Sequence, residues 1–227
     1  MRHIQRRSLV DTVVDELKRE ISQGRWGVGD RIPSEAELTA GLGVSRPSVR
    51  EAVRSLVQLG LLETRQGDGT YVVATDPTQV ALRRAIHLAD SREVISVRRA
   101  LDALAAREAA THRGDEDLET LAGHLSARRE AVAAGDTPAF AEADVAFHLG
   151  VARASGNRLL SDIYASFDAS LRESISDASC LAQGRDPDRA DMHEALYRAI
   201  DAGNPEAAQS AALGVLEQQE QLLDEQP

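Results

Sequence analysis

Residues 31–72, RIPSEAELTAGLGVSRPSVREAVRSLVQLGLLETRQGDGTYV, constrain this 227-residue chain more than any other stretch. Ser34 with Glu37 three positions later forms a capping box, which opens a short helix running to about Leu42 and ending at Gly43. Ser45 is a good N-cap for a second helix. Pro47 is tolerated in its first turn, because its missing N–H has no intrahelical partner there. Val49, Ala52, Val53, Leu56 and Leu59 give that helix one apolar stripe, and Gly60 stops it. Residues 61–65 and 70–73 then read as paired strands. The turn between them, Gln66-Gly67-Asp68-Gly69, is rich in residues that tolerate positive φ. Helix, glycine turn, helix and hairpin in that order make a winged helix-turn-helix, whose second helix is available to a DNA major groove.

The chemistry of the second helix suits that placement. Arg46 and Arg50 lie one turn apart on the face opposite Val49 and Val53. An arginine there can bond guanine bidentately through O6 and N7, or clamp a phosphate. The Ser45 and Ser48 hydroxyls and the free N–H groups of the helix start suit phosphate. Gln66 and Gly67 at the wing tip can reach a minor groove, since glycine lets the backbone approach closely. The same pattern also fits a helical hairpin with solvated arginines.

Aromatic residues make up only 3% of the chain, so the core must be built from Leu, Val, Ile and Ala, which favours helices over sheets. Before the motif, residues 8–22 place Leu9, Val13, Leu17 and Ile21 four apart, an amphipathic helix. After it, a linker is expected over 76–90. Helical patterns then run over about 91–113, 116–134, 138–154, 157–180, 188–202 and 205–224, separated by glycine, aspartate and proline stops. The fold expected is mainly α: a winged helix-turn-helix over 1–75, a linker over 76–90, and an all-helical antiparallel bundle over 91–227.

The formal charge of −11 looks wrong for a DNA binder until the chain is divided. Residues 1–75 carry a net +1 and residues 76–227 a net −12, so phosphate would repel only the second part. Cys180 is the only cysteine, which excludes an intrachain disulfide and fits a reducing cytoplasm. No signal peptide, membrane span or membrane partner is expected.

Within the bundle, Asp144 and His148 are four apart and share a helix face. Neither side chain tolerates burial alone, and a divalent metal would satisfy both, with His193 from another helix as a third ligand. Taken by itself, an Asp–His pair on a helix is more often a solvated pair or a satisfied core pair. A di-metal helical enzyme would need two Glu-x-x-His elements on separate helices, which this chain lacks, and no nucleophile–base pair stands out. No catalytic residue and no organic cofactor are expected.

Two stretches resemble known families. Pro33-Ser34-Glu35-x-Glu37-Leu38, Gly43-Val44-Ser45-Arg46-x-Ser48-Val49-Arg50-Glu51-Ala52, Gly60-Leu61-Leu62 and Gly67-x-Gly69-Thr70-Tyr71-Val72 resemble the DNA-binding head of the GntR family of bacterial transcription regulators. That resemblance implies Arg46 and Arg50 as base readers, Ser45 and Ser48 on phosphate, and Gly67 in the minor groove. Glu35 and Glu51 would be orienting residues. Val97-Arg98-x-x-Leu101-Asp102, Asp144-x-x-Phe147-His148, Ala154-Ser155-Gly156-Asn157-x-Leu159-Leu160 and His193-x-Ala195-Leu196 resemble the FCD effector domain of the FadR-like subfamily. In metal-binding members of that subfamily, one Asp and three His hold a divalent ion and a carboxylate effector completes its shell. Here the resemblance implies Asp144, His148 and His193 as ligands for zinc or nickel, with Val215, which cannot coordinate, at the fourth place. Arg98 and Asn157 are the implied effector contacts. The expected whole is a cytoplasmic homodimer that binds double-stranded operator DNA and answers to a small carboxylate. The alternatives are a metal-free pocket for an acyl-type ligand and, further off, a metal-dependent helical enzyme.

Overall fold

The computed structural model describes residues 8–175 and 191–225 of the chain. These divide into two compact units, with the boundary between Leu82 and Arg83.

The first unit begins with α1 (Leu9–Ser22), capped by the Ser8 hydroxyl. Its Val13, Leu17 and Ile21 are buried, whereas Leu9 at the first turn is 52% exposed. Next come α2 (Glu35–Leu42) and α3 (Arg46–Gln58). Ser34 and Glu37 form the reciprocal capping box, and Gly43 ends α2 in the left-handed conformation at φ 65°, which glycine adopts without steric cost. Val49, Ala52, Val53 and Leu56 of α3 are buried and pack with α1, α2 and the first strand. Leu59 is 41% exposed, contrary to its place on the expected stripe: it is the C-cap of α3, where the chain leaves the helical path. Truncating a fully buried side chain such as Leu56 would cost about 2–5 kcal/mol.

The wing is an antiparallel pair, β1 (Leu62–Arg65) with β2 (Gly69–Val72), in the register Leu62 opposite Val72. The segment before α2 joins it. Gly29 and Ile32 donate to the Val72 and Thr70 carbonyls, and Arg31 bridges Tyr71, so β2 is flanked on both sides. This third partner had no period-two pattern in the sequence to announce it.

The stretch expected as a linker is helical: α4 covers Pro77–Leu88. The Asp76 side chain accepts from the Thr78 N–H at 2.8 Å, and Pro77 takes the first helical position.

The second unit is a helical bundle. It contains α5 (Ser91–His112), α6 (Asp115–Ala134), α7 (Thr137–Ala154), α8 (Arg158–Tyr164), α9 (Asp168–Ile175), α10 (Met192–Asp201) and α11 (Pro205–Glu225). Loops of two or three residues reverse the chain after α5, α6 and α10. Packed pairs include α6 with α7, α5 with α11, and α10 with α11. Helix α7 is the centre. It packs on α5, α6, α8 and α9, and between residues 139 and 154 it is buried on all but one stripe, Ala139, Glu142, Ala146, Leu149 and Arg153. The single helix expected over 157–180 is broken: a 3₁₀ turn at Ala165–Phe167 separates α8 from α9. There the Ser166 hydroxyl donates back to the Asp162 carbonyl, a bond that competes with the helical ladder, while Tyr164, Ser166 and Phe167 all turn inward. Cys180 and the expected stop at 184–187 lie outside the described residues.

Candidate functional site

At the start of α3, the Ser45 hydroxyl accepts from the Ser48 N–H at 3.3 Å and meets the Ser48 hydroxyl at 2.8 Å. The cap thereby satisfies one N–H of the first turn and leaves the hydroxyl pair at the surface. Arg46 and Arg50 are both exposed, on the side of α3 away from its core contacts. Glu35 Oε2 lies 3.3 Å from Arg50 Nε, reaching from the first turn of α2. With both groups well exposed to water, this pair contributes little to stability, but it orients the guanidinium. Glu51 sits 3.9 Å from Arg54. At the wing tip Gly67 has φ 77°, and the turn it makes with Gln66 is exposed. The Tyr71 hydroxyl donates to Asp68 at 2.9 Å, and the Arg65 guanidinium lies 4.2 Å over the Tyr71 ring, so the hairpin is braced from within. A groove of about 320 Å³ runs between the wing and residues 31–35, with Arg31 and Arg65 on its walls.

The second constellation is buried in the helical unit. Asp144 and His148 project from α7 and His193 from the first turn of α10; the three are 4%, 6% and 6% exposed. One donor atom from each lies within 4.8 Å of the other two. His148 Nε2 is 3.5 Å from Asp144 Oδ2, and His193 Nε2 is 3.1 Å from Asp144 Oδ1. The latter contact is poorly aligned, so His193 Nε2 is a buried nitrogen with no hydrogen-bond partner. Phe147 stacks edgewise against both imidazoles, at ring separations of 5.9 Å and 5.7 Å, and keeps them dry.

Arg128, on α6, was not singled out by its sequence. Its Nε donates to Asp144 Oδ1 at 2.7 Å and its Nη1 to Asp191 Oδ2 at 3.2 Å, and its guanidinium lies 4.9 Å over the Phe140 ring. It follows Leu121 and Leu125 at seven and three residues, on the buried stripe of α6. A basic residue on an apolar stripe is the signal that could have found it.

The titration behaviour follows from this packing. Burial alone would raise the Asp144 pKa, but the charge of His193 and the hydrogen bond of His148 hold the carboxyl well below its ordinary value. For His148, burial wins and its pKa falls. Burial is the largest single influence on His193 and lowers its pKa, but the Asp144 charge together with its polar contacts to Asp144 and Asp191 outweighs it, and the pKa rises.

A third cluster adjoins the second. Arg98 on α5 is 3% exposed, donating from Nη2 to Asp102 Oδ2 at 3.2 Å and from Nη1 to Gln219 Oε1 at 2.8 Å. Gln219 is therefore already engaged with Arg98. Asp102, Tyr164 and His148 line a cavity of about 10 Å³ between α5, α7, α8, α10 and α11. Asn157 does not line that cavity: its Oδ1 caps α8 by accepting from the Leu160 N–H at 3.1 Å. Val215 is buried in α11 and offers no donor.

One carboxylate and two imidazoles, one of them with an orphaned nitrogen, are a donor set suited to zinc or nickel. No helix among the described residues is long and apolar enough to cross a membrane.

Known proteins place this architecture. Residues 9–72 match the model of bacterial regulatory proteins of the gntR family, and residues 93–218 match the FCD domain. The chain is 32% identical to "HTH-type transcriptional regulator LutR" of Bacillus subtilis, over 89% of this chain and 95% of that protein. It is also 32% identical to the "Probable D-xylose utilization operon transcriptional repressor" of Paenarthrobacter nicotinovorans, over 92% of this chain and 86% of that one. Among solved structures, a GntR protein of Streptococcus agalactiae superposes with a TM-score of 0.63 at 29% identity, covering 92% of this chain and 98% of that one. The chain belongs to the GntR family of bacterial regulators, in the group that carries an FCD domain: it is a DNA-binding transcription regulator and not an enzyme.

Proposed function

We propose that this regulator is a homodimeric repressor that releases a palindromic operator when a small carboxylate enters its helical unit. The observation that carries the reading is the burial of Asp144, His148 and His193 within 4.8 Å of one another at the centre of that unit. Such a cluster is costly to bury, Arg128 offsets the charge of Asp144 alone, and a concentration of buried titratable groups with a partnerless His193 nitrogen favours a ligand site. Arg46 and Arg50 would read bases from the first two turns of α3, with Ser45 and Ser48 on phosphate and Gln66-Gly67 at the minor groove. Each subunit would occupy one half-site. Two relatives share its length, and one is named a repressor, which supports the direction of control.

In the helical unit, Asp144, His148 and His193 would hold a divalent ion. Such an ion, when bound, offers open coordination positions to a carboxylate. Arg98 is bonded to Asp102 of the cavity wall and would bring a second buried positive charge near an acid. Ligand entry changes operator affinity only through a difference in its affinity for two states of the protein.

A metal-free pocket is favoured by two specific observations: Arg128 already neutralises Asp144, and Val215 stands where a further ligand is expected. Elemental analysis of the purified protein, before and after chelator treatment, separates the two. The metal reading expects about one zinc or nickel ion per chain, removed by chelator. Metal-free protein from metal-replete medium would overturn it and leave Arg128 and Arg98 as the acid-binding charges.

A further inference from the structure

A duplex separates its major groove from the neighbouring minor groove by one sugar-phosphate strand. With Arg46 and Arg50 in the first and Gln66-Gly67 in the second, that strand crosses the protein between α3 and the wing tip. The surface groove of about 320 Å³ lies there: Glu35, which meets Arg50 at 3.3 Å, and Gly67 both line it.

The cations of this groove come from the sheet. Arg65 of β1 stands opposite Gly69 of β2, and Arg31 stands opposite Tyr71, two residues further along β2. Residues opposite each other, and residues two apart on one strand, share a face. Arg31 and Arg65 therefore flank Gly69 on one face, from the two sides of β2. Only glycine leaves room between them. A Cβ on Gly69 would overlap Arg31 Nε and crowd its Cδ and Cζ at 3.1 Å, so the Arg31 side chain lies across the bare backbone. The segment that carries it is fixed: the Ile32 N–H donates to the Thr70 carbonyl and the Val72 N–H to the Asp30 carbonyl, both at 2.9 Å.

The acids of the groove are engaged elsewhere. Glu35 faces Arg50, and Asp68 accepts from the Tyr71 hydroxyl at 2.9 Å. Arg65 shares a solvated pair with Glu63 at 3.4 Å. Arg31 is exposed and forms no ion pair among the described residues. An exposed guanidinium that the backbone positions and no carboxylate neutralises keeps its donors for an outside anion. In a head whose net charge is only +1, one such cation weighs heavily.

We infer, on the placement of Arg46, Arg50 and Gly67 proposed above, that Arg31, with Arg65 across Gly69 from it, anchors the phosphate strand passing between the two grooves. This contact carries no base sequence.

Fluorescence anisotropy of the full chain tests it over about 50–200 mM salt, on a duplex selected from a random pool and on its scrambled counterpart. In Arg31→Ala, affinity should fall by the same factor on both duplexes. A phosphate contact releases counterions, so the slope of log affinity against log salt should shrink by about 0.9. The gap to the unaltered chain should then narrow about threefold between the two salt limits. Arg31→Lys should keep most of the slope. Gly69→Ala should reproduce the Arg31→Ala loss, and adding it to Arg31→Ala should cost under about twofold more. An unchanged slope in Arg31→Ala would overturn the anchor. So would a loss confined to the selected duplex, which would make Arg31 a base reader. Arg46→Ala on the same duplexes separates this failure from that of the parent reading: if its discrimination is also unchanged, the placement of α3 has failed and the anchor with it. Should Gly69→Ala not fold, as read by circular dichroism, Arg31→Ala and Arg31→Lys still decide.

Discussion

The two units use arginine in opposite ways. In the winged unit Arg46 and Arg50 stand exposed at the start of a helix, and the ion pair of Arg50 with Glu35 is solvated. In the helical unit Arg98 and Arg128 are 3% and 8% exposed, each held by a buried carboxylate. The first arrangement costs the fold almost nothing and keeps its donors for an outside partner. The second removes charge from water, so every member depends on the others. The difference teaches where each kind of substitution should be felt: binding in one unit, folding in the other.

The largest effect expected is at Asp144. Asp144→Ala removes the buried anion that His148, His193 and Arg128 share, leaving only the half-exposed Asp191 to Arg128 and His193, and should destabilise the helical unit by about 3–5 kcal/mol. Denaturant unfolding followed by far-UV circular dichroism would show this as an earlier transition. A loss under about 1 kcal/mol would mean that the cluster is not a mutually dependent network.

Next in size is Arg46→Ala. Loss of a bidentate base contact costs about 1–3 kcal/mol of discrimination, so operator affinity should fall about 5- to 150-fold while stability changes by under about 0.5 kcal/mol. Fluorescence anisotropy with a selected operator and a scrambled duplex checks it: the gap between the two should close. A uniform loss on both duplexes would make Arg46 a phosphate contact instead.

The smallest is at the α2 cap. The Ser34 hydroxyl and N–H hold the Glu37 carboxyl below its ordinary 4.5. A depressed carboxylate stabilises the folded state above its unfolded pKa, and that contribution disappears as pH falls through the lower folded value. Ser34→Ala should cost about 1 kcal/mol at neutral pH, typical of an N-cap. NMR titration of the Glu37 side chain should show its pKa returning toward the ordinary value in the variant. An unmoved pKa would show that the hydroxyl is not its partner.

How much of this was legible in the sequence depends on whether the signal is local. The winged unit is a run of adjacent caps, stripes and turns, and its helices and hairpin follow within a residue or two. What failed there was long-range or misread: the Arg31–Tyr71 bridge, and α4, whose Asp76-Pro77 start carries the same cap-and-proline signal as Asn204-Pro205 but lies in a stretch rich in turn residues. In the helical unit, Asp144 and His148 were visible because four residues on a helix share a face. His193 could be named only as a donor on some other helix, since nothing local ties α10 to α7. Arg128, Asp102 and Tyr164 were overlooked, although Arg128 sits on the apolar stripe of α6 and Tyr164 is one of three tyrosines in an aromatic-poor chain. Their roles exist only once α5, α6, α7 and α8 have packed.

The separation of the two uses of arginine is the central claim, and one crossed measurement tests it. Arg46→Ala and His148→Ala are each assayed for operator affinity by anisotropy and for zinc affinity by calorimetry, on full-length protein. The account predicts that Arg46→Ala loses operator discrimination and keeps the zinc affinity of the unaltered chain. It predicts that His148→Ala loses zinc binding and keeps operator discrimination. Loss of zinc binding in Arg46→Ala, or of operator discrimination in His148→Ala without ligand, would contradict it.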